Sequence, residues 1–422
     1  MAQTKNKTIL VNGLPGIYYR KKWIIYSPLT KNIIVFKNIN NLKKIKEILD
    51  QNKDQPRSIS YKADKHISKV ILITTNACNL KCRYCYENIG KTKVQNMDPN
   101  MAIKIIDKTI KPETKELKLI FFGGEPTLNL PLIKTCVDHA KSLSISSTFQ
   151  ISTNGVVSKN ILDYLLKEDF TIQISTDGIP LVQDLQRPTK SGVKSSIQVK
   201  KTIKYLVGKK ADFKVRMTVT PLGLNYLTDC VRYFADLGVK YIHIESVSSS
   251  GDYNHNDYTI LNYKKFAQEF IKVLQLAKRL DLKIINSTYM NIIKPSTKFC
   301  GGLCGNQIVV NTDGNISVCY EVQNYCHPDA NLLMVGHYDT SNSKLDIKTS
   351  KLDNILNVDV NKMKKCQNCF AKFICSGGCP IRNRNLLVGD KSPKNNPCDA
   401  TRSILYYLIK ETYLNSKKAS SS

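Results

Sequence analysis

Three cysteines stand close together in TTNACNLKCRYCYE, at Cys78, Cys82 and Cys85. At this Cys-x3-Cys-x2-Cys spacing three thiolates can hold three corners of a four-iron cluster and leave the fourth iron open to chelation by a cofactor or substrate. Zinc is the competing reading, but three cysteines supply only three of four tetrahedral ligands and no histidine within the motif completes the set. Further along, Cys366-x2-Cys369-x5-Cys375-x3-Cys379, with Cys398 beyond it, fits a zinc ribbon or a cluster equally well. Between these stretches lie Cys300, Cys304, Cys319 and Cys326. Only Cys136 and Cys230, of the 14 cysteines, stand apart, in helix-like segments where a buried core thiol is the expected role.

The elements that must position these thiols alternate regularly. From Lys69 to Leu280, β-rich runs (Val70–Thr74, Leu117–Phe122, Thr148–Ser152, Thr171–Ser175, Lys214–Val219, Tyr241–Glu245) alternate with amphipathic ones (Met101–Ile110, Leu130–Leu143, Asn160–Leu166, Ile197–Val207, Leu227–Leu237, Tyr263–Arg279). Six successive β–α units predict an α/β fold with a parallel sheet, open or closed into a partial barrel, with its chemistry at the C-terminal strand ends. The first cysteine group follows the first strand, at such an end. Ahead of the barrel, Tyr18–Tyr26 and Asn32–Phe36 predict a β-hairpin turning at Ser27-Pro28-Leu29-Thr30, followed by a short helix, Asn41–Leu49, and a polar linker, Gln51–Asp64. Past Pro295 the chain is rich in Gly, Asn and Cys with few periodic runs, so cross-linking by metal is expected to hold it. A helix over Thr401–Tyr413 and a frayed tail beyond Asn415 end the chain. The predicted organisation is an extension over 1–64, a barrel over 65–290, a cysteine-rich domain over 291–415 and a tail over 416–422.

Composition narrows the function classes. The chain has 422 residues, 42% apolar and 23% charged, which excludes wholesale disorder. No apolar run is long enough to span a membrane, and the polar start Met1 to Lys7 predicts no signal peptide, so the expected location is cytoplasmic. Lys+Arg 63 against Asp+Glu 34 gives +29. The lysines spread along the whole length, which reads as a solvated surface compatible with an acidic peptide partner rather than a nucleic-acid tail.

The first motif, with Tyr84 as the aromatic before the third cysteine, resembles the signature of the radical S-adenosylmethionine (SAM) superfamily, and the resemblance extends through the six β–α units. Gly123-Gly124-Glu125-Pro126 is similar to that family's segment for the SAM amino group. Ser152, Asn154 and Gly155 resemble its ribose-side motif, and Ser175, Asp177 and Arg187 its ribose and carboxylate contacts. A sulfonium with a zwitterionic tail suits a carboxylate for its amine and an arginine for its carboxylate. The resemblance implies SAM bound to a [4Fe-4S] cluster, a low-potential electron donor such as flavodoxin or ferredoxin, and cleavage to methionine and a 5′-deoxyadenosyl radical that removes hydrogen from a substrate.

The later cysteines, with Gly314-x4-Cys319, resemble the SPASM extension of these enzymes, which holds two auxiliary four-iron clusters. The resemblance implies Cys304, Cys319 and Cys379 for the nearer cluster and Cys366, Cys369, Cys375 and Cys398 for the farther. Cys300 is the preferred fourth ligand of the nearer cluster and Cys326 the second candidate; a substrate thiolate is a third. Cys326 also suits a hydrogen-atom donor, as a peptide epimerase requires, or a spare buried thiol.

SPASM enzymes act mostly on peptides or proteins. The N-terminal hairpin resembles the front end of peptide maturases, where a sheet edge can add a leader peptide as another strand; a capping extension without a binding role is the other reading. The expected function is therefore an oxidoreductase acting on a ribosomally made precursor peptide, forming a thioether or carbon–carbon crosslink. An anaerobic sulfatase maturase is the alternative; that family carries Asp directly after the second SPASM cysteine, where this chain has Tyr320 followed by Glu321. A non-catalytic iron–sulfur scaffold or nucleic-acid binder is a third, disfavoured by the assembled SAM motifs. Ser246–Tyr258 reads as a gating or ordinary surface loop.

Overall fold

The computed structural model describes residues 7–28, 30–37, 47, 67–86, 93–248, 261–382 and 396–419. The helix expected over Asn41–Leu49 (Glu47 apart), the linker Gln51–Asp64 and most of the loop Ser246–Tyr258 lie outside them.

The N-terminal segment forms four strands where a two-run hairpin is expected. Strands β1 (Thr8–Val11), β2 (Leu14–Tyr19), β3 (Lys22–Tyr26) and β4 (Ile33–Phe36) pair antiparallel in sequence order. The run Tyr18–Tyr26 breaks because Arg20 and Lys21 both take positive φ, 48° and 61°, and fold β2 back on β3 with Tyr19 opposite Lys22. Asn12-Gly13, at φ 49° and 80°, turns β1 into β2 in the same way, an Asn-Gly pair being well suited to a two-residue hairpin. One face of this sheet is apolar. Ile17, Ile24 and Tyr26 pack on Phe370, Ile374, Leu405, Ile409 and Tyr413.

The second sheet carries all six expected barrel strands, their ends within one or two residues of the sequence reading: β5 (Lys69–Ile73), β6 (Glu116–Phe122), β7 (Ser146–Thr153), β8 (Thr171–Ser175), β9 (Phe213–Val219) and β10 (Tyr241–Ser246). It continues into β11 (Lys283–Ile285), β12 (Gln307–Val310), β13 (Asn315–Ser317), β14 (Met334–Asp339) and β15 (Lys344–Ile347), in the order β11-β10-β9-β8-β7-β6-β5-β12-β13-β14-β15. Every neighbour from β11 to β12 is parallel, and the last three strands form an antiparallel ladder. Thus β12 joins the cysteine-rich region directly to the first barrel strand.

Helices Pro99–Thr109, Leu130–Ser142, Lys159–Lys167, Ser195–Gly208, Leu227–Asp236 and Tyr263–Arg279 follow the strands. Asp98 caps the first by accepting the Met101 amide at 2.8 Å, and Pro99 fits its first turn, where the missing N–H costs nothing. Alternation along the strands separates two faces. Val70, Leu72, Leu119, Phe121, Ile151, Ile172, Val215 and Met217 join the helices in the main core, together with Cys136 and Cys230, both fully buried. Ile71, Ile73, Ile120 and Val309 face inward with Phe122 and Tyr320.

The last helix spans Pro397–Ala419, so the fraying expected from Asn415 does not set in before Ala419. Tyr413 is buried, Lys278 Nζ donates to Asn415 Oδ1 at 3.0 Å, and Lys417 and Lys418 complement the negative end of the helix dipole. Because Leu405 is completely buried between this helix and the N-terminal sheet, Leu405→Ala is expected to cost about 2–5 kcal/mol. Thermal unfolding should show the loss, with earlier proteolysis of the N-terminal segment.

Candidate active site

The loop bearing Cys78 leaves β5 and is held against the loop leaving β6 chiefly through backbone. Gly124 N donates to Thr75 O at 2.9 Å and Glu125 N to Ala77 O at 2.8 Å. The approach is so close that a Cβ on Gly124 would lie 2.2 Å from Ala77 O, and one on Gly123 2.4 Å from Thr75 O. Gly123 also sits at φ 134°, which side chains rarely allow. The pair is therefore required by contact geometry. Pro126 opens the short helical turn that follows.

Glu125 is fully buried. Its Oε1 accepts from Thr127 N, Thr127 Oγ1 and Thr153 Oγ1 at 3.2, 2.7 and 2.8 Å, and its Oε2 from Asn154 N at 2.7 Å. Burial pushes this carboxyl up and the hydrogen bonds pull against it. Asn154 Nδ2 donates to Asn79 Oδ1 at 2.7 Å and lies 3.6 Å from Cys78 Sγ, so the end of β7 braces the cysteine loop. Ser152 accepts from Gln173 Nε2 at 3.0 Å across the inner face.

The strongest concentration of charge is at Asp177, just past β8 and without solvent exposure. Its carboxylate accepts from Tyr84 OH at 2.6 Å, Gln186 Nε2 at 2.7 Å, Arg187 Nε at 2.9 Å, Arg187 Nη2 at 3.1 Å and Thr218 N at 3.1 Å. Burial pulls the Arg187 guanidinium down, and Asp177 more than restores its charge. Arg187 also stacks over the Tyr84 ring at 5.3 Å and donates to the Cys82 sulfur. Both partners expected to clamp a ligand's charged tail are thus already engaged within the protein: Arg187 with Asp177, and Glu125 with four donors. Ser175 lies one pleat below, half-buried.

None of the 14 cysteines forms a disulfide. Beyond the first group, two sets lie within electrostatic reach of one another. Cys300 interacts with Cys379 and Cys304, and Cys319 with Cys379 and Cys300; Cys375 interacts with Cys398, Cys369 and Cys366. Cys300 therefore stands with Cys304, Cys319 and Cys379, whereas Cys326 is exposed. Burial pushes Cys78 up to about 12 and Cys300 and Cys366 up to about 11. Cations surround both sets: Lys69 and Lys298 near Cys304, Arg382 near Cys379, and Arg402 donating to Cys369. Crowded thiols amid positive side chains fit an anionic thiolate-bound group. Among the described residues no three His, Cys, Asp or Glu side chains converge as a single metal ion requires.

Tyr320, next to Cys319, enters the barrel interior and meets the Phe122 ring at 4.9 Å between centroids. Burial pushes its hydroxyl up to about 12. Glu321 is half-buried, within reach of Cys319 and Arg382. The sequence reading passed over Arg216, His243, Glu245 and Arg382. Glu245, at the end of β10, accepts from His243 Nε2 at 2.9 Å, Ser287 N at 2.7 Å and Arg382 Nη1 at 3.0 Å. Burial alone would raise its carboxyl, but His243 and Arg382 hold it well below the usual range. The available signal was polar alternation, Lys214-x-Arg216-x-Thr218 and His243-x-Glu245, on strands whose other face is wholly apolar.

A family profile of the Radical SAM superfamily matches residues 72–237, from β5 to just past the Leu227–Asp236 helix. Over 258 residues the chain is 31% identical to uncharacterized protein MJ0907 of Methanocaldococcus jannaschii, covering 60% of this chain and 84% of the relative. The chain belongs to the radical SAM superfamily. It is an enzyme, of a superfamily that binds a [4Fe-4S] cluster and SAM. It is 27% identical over 436 residues to the radical SAM cyclopropyl synthase TigE of Paramaledivibacter caminithermalis (94% of this chain, 83% of TigE). It is 25% identical over 323 residues to the serine-type anaerobic sulfatase-maturating enzyme of Klebsiella aerogenes (72% and 77%). The fold is that of anSMEcpe with bound AdoMet, at TM-score 0.68 and 17% identity over 83% of this chain and 95% of the other. Among the described residues no helix is long and apolar enough to cross a membrane.

Two substitutions test this geometry. Asp177→Asn leaves Arg187 buried without its counter-charge and is expected to destabilise the protein by about 3–5 kcal/mol, read by thermal or denaturant unfolding. Adding Arg187→Met should recover part of that loss, whereas simple additivity would mean the two side chains act independently. Gly124→Ala should displace the Cys78 loop, so the reconstituted protein loses the visible absorbance of one cluster and its SAM affinity while keeping its helical circular dichroism.

Proposed function

We propose that this radical SAM enzyme is a maturase of a ribosomally synthesised peptide and closes an intramolecular thioether or carbon–carbon link. The observation that carries the reading is the junction at Tyr320. It brings the Cys300, Cys304, Cys319 and Cys379 set to the wall of the barrel chamber, opposite Phe122. A crosslink removes two hydrogens from the substrate, so a peptide held there needs an electron acceptor close by, and thiols able to hold an auxiliary [4Fe-4S] cluster stand at that wall. Whole-chain similarity to TigE supports the same class.

In this reading Cys78, Cys82 and Cys85 hold the SAM-binding cluster. Cys300, Cys304, Cys319 and Cys379 hold the nearer auxiliary cluster, and Cys366, Cys369, Cys375 and Cys398 the farther. The bound cluster and SAM together supply a 5′-deoxyadenosyl radical. The chain's own residues position and shield. Tyr84 lies over Arg187 beside the cysteine loop, and Asp177 holds Arg187 against the Cys82 sulfur. The Gly123-Gly124 backbone keeps the cofactor rim close to β5, with Ser152, Asn154 and Ser175 lining the adjoining strand ends. The free edges of β1 and β4 offer unpaired backbone to a leader peptide, with Lys21, Lys22 and Lys31 favouring an acidic one. Reduction would come from a low-potential flavodoxin or ferredoxin.

Sulfatase maturation is the second reading, favoured by the similarity to the Klebsiella aerogenes enzyme. Here the half-buried Tyr320, or Glu321 beside it, would have to take the proton that Asp takes in the resembling family.

Anaerobic reconstitution is expected to give about twelve irons per chain, falling to about eight in the Cys78→Ala/Cys82→Ala/Cys85→Ala variant. About four irons with zinc present would overturn the auxiliary assignment. Incubating reduced enzyme and SAM with precursor peptides encoded beside the gene should yield a product about 2 Da lighter. Formylglycine in a sulfatase-derived peptide, with every neighbouring precursor unchanged, would select the second reading.

A further inference from the structure

The inner face of β9 carries Lys214, Arg216 and Thr218, the alternate residues Phe213, Val215, Met217 and Val219 being in the main core. Strand register sets Arg216 beside Ser175 on β8 and His243 on β10, so all three face the chamber. Arg216 lies within electrostatic reach of Tyr320, His243 and Glu245. Among the described residues its guanidinium makes no ion pair and no side-chain hydrogen bond. Every acidic group near it is committed: Glu245 to His243, Ser287 and Arg382, and Asp177 to Arg187 and its other donors. Nor do its neighbours compensate it. Burial and the charges of Lys118 and Arg216 push Lys214 down, and burial with Lys118 does the same to Lys69. A half-buried guanidinium whose one carboxylate within electrostatic reach, Glu245, is already paired with Arg382 calls for an anion brought by a ligand.

The two chamber arginines divide the space. Arg187 is stacked on Tyr84 and tied to Cys82 on the side of the first cysteine loop. Arg216 stands on the side where Tyr320 and Glu245 close the chamber. An anion on Arg216 is therefore offered from the substrate side.

We infer that Arg216 is a specificity-determining residue that pairs with a carboxylate of the substrate peptide within the chamber, so that the modified segment carries an acidic group near the reacting residue. The inference rests on the peptide-maturase reading. A planar guanidinium meets a carboxylate through two parallel N–H···O bonds, which fixes orientation as well as charge. The carboxylate can belong to an Asp or Glu side chain or to the peptide C-terminus; the carboxylate of SAM is the competing partner that the test separates.

Holoenzyme with SAM would be presented with four synthetic libraries of eleven-residue peptides, randomised except for a central Asp or Asn, each with a free or an amidated C-terminus. Bound peptides are quantified by mass spectrometry. The wild-type enzyme is expected to enrich the Asp libraries at least tenfold over the Asn ones whatever the C-terminus, and Arg216→Gln to lose that enrichment. Arg216→Lys should keep part of it, which also guards against a merely misfolded Gln variant. Enrichment that follows the free C-terminus and vanishes in Arg216→Gln supports the pairing and assigns it to the terminal carboxylate. Equal enrichment in wild type and Arg216→Gln overturns the inference and leaves the maturase reading standing. Calorimetric SAM affinity reduced tenfold or more in both variants also overturns it, by giving the arginine to the cofactor. Retention of no peptide by the wild-type holoenzyme overturns the maturase reading and the inference with it.

Discussion

A carboxylate removed from water needs donors on every side, and Asp177 takes them from three separate segments of chain. Tyr84 comes from the cysteine loop, Gln186 and Arg187 from the turn after β8, and Thr218 from the backbone of β9. Each donor is correctly placed only if its own segment is. The buried ion pair thus specifies arrangement more than it adds stability, since such pairs roughly break even against apolar packing. The aromatic before the third cysteine, the loop after β8 and the fifth barrel strand are all set by one side chain. The thiols of the first group inherit their positions from that set.

Much of this was legible in the sequence because it follows from local rules. Six β–α units emerged with nearly the right ends since the helix-covered face of each strand and one face of each helix must be apolar, and the two periods differ. Gly123-Gly124 was legible as a motif but not for its physical reason, the absence of room between it and Ala77, which only the folded backbone displays. Cys136 and Cys230 were correctly read as core thiols from their solitary places in amphipathic runs. Cys300 was preferred to Cys326 as the companion of Cys304, Cys319 and Cys379, a choice that rested on spacing alone; Cys326 is exposed.

What escaped were features that depend on long-range register. Arg216 is an unremarkable residue in a strand until its neighbours on β8 and β10 are known. Glu245 and Arg382 are 137 residues apart, and nothing local to either announces the pairing of a barrel strand with the stretch after Cys379. The Asn12-Gly13 turn was a readable local signal and was missed, so the N-terminal sheet came out with half its strands. The polar side of β9 was visible too. Its meaning depended on learning that these polar side chains face inward, beside Ser175 and His243.

The terminal helix joins the two ends of the chain. Its first turn carries Cys398 and its middle covers the N-terminal sheet through Leu405, Ile409 and Tyr413. During synthesis, then, this sheet is made long before the helix that covers it. At roughly 5–20 residues per second, the interval between the emergence of Tyr26 and of Leu405 is about 20–80 s. Throughout that interval Ile17 and Ile24 have no cover on the apolar face. The cover over Ile17 and Ile24 and the arrival of Cys398 beside Cys366, Cys369 and Cys375 therefore wait on the same late-made helix.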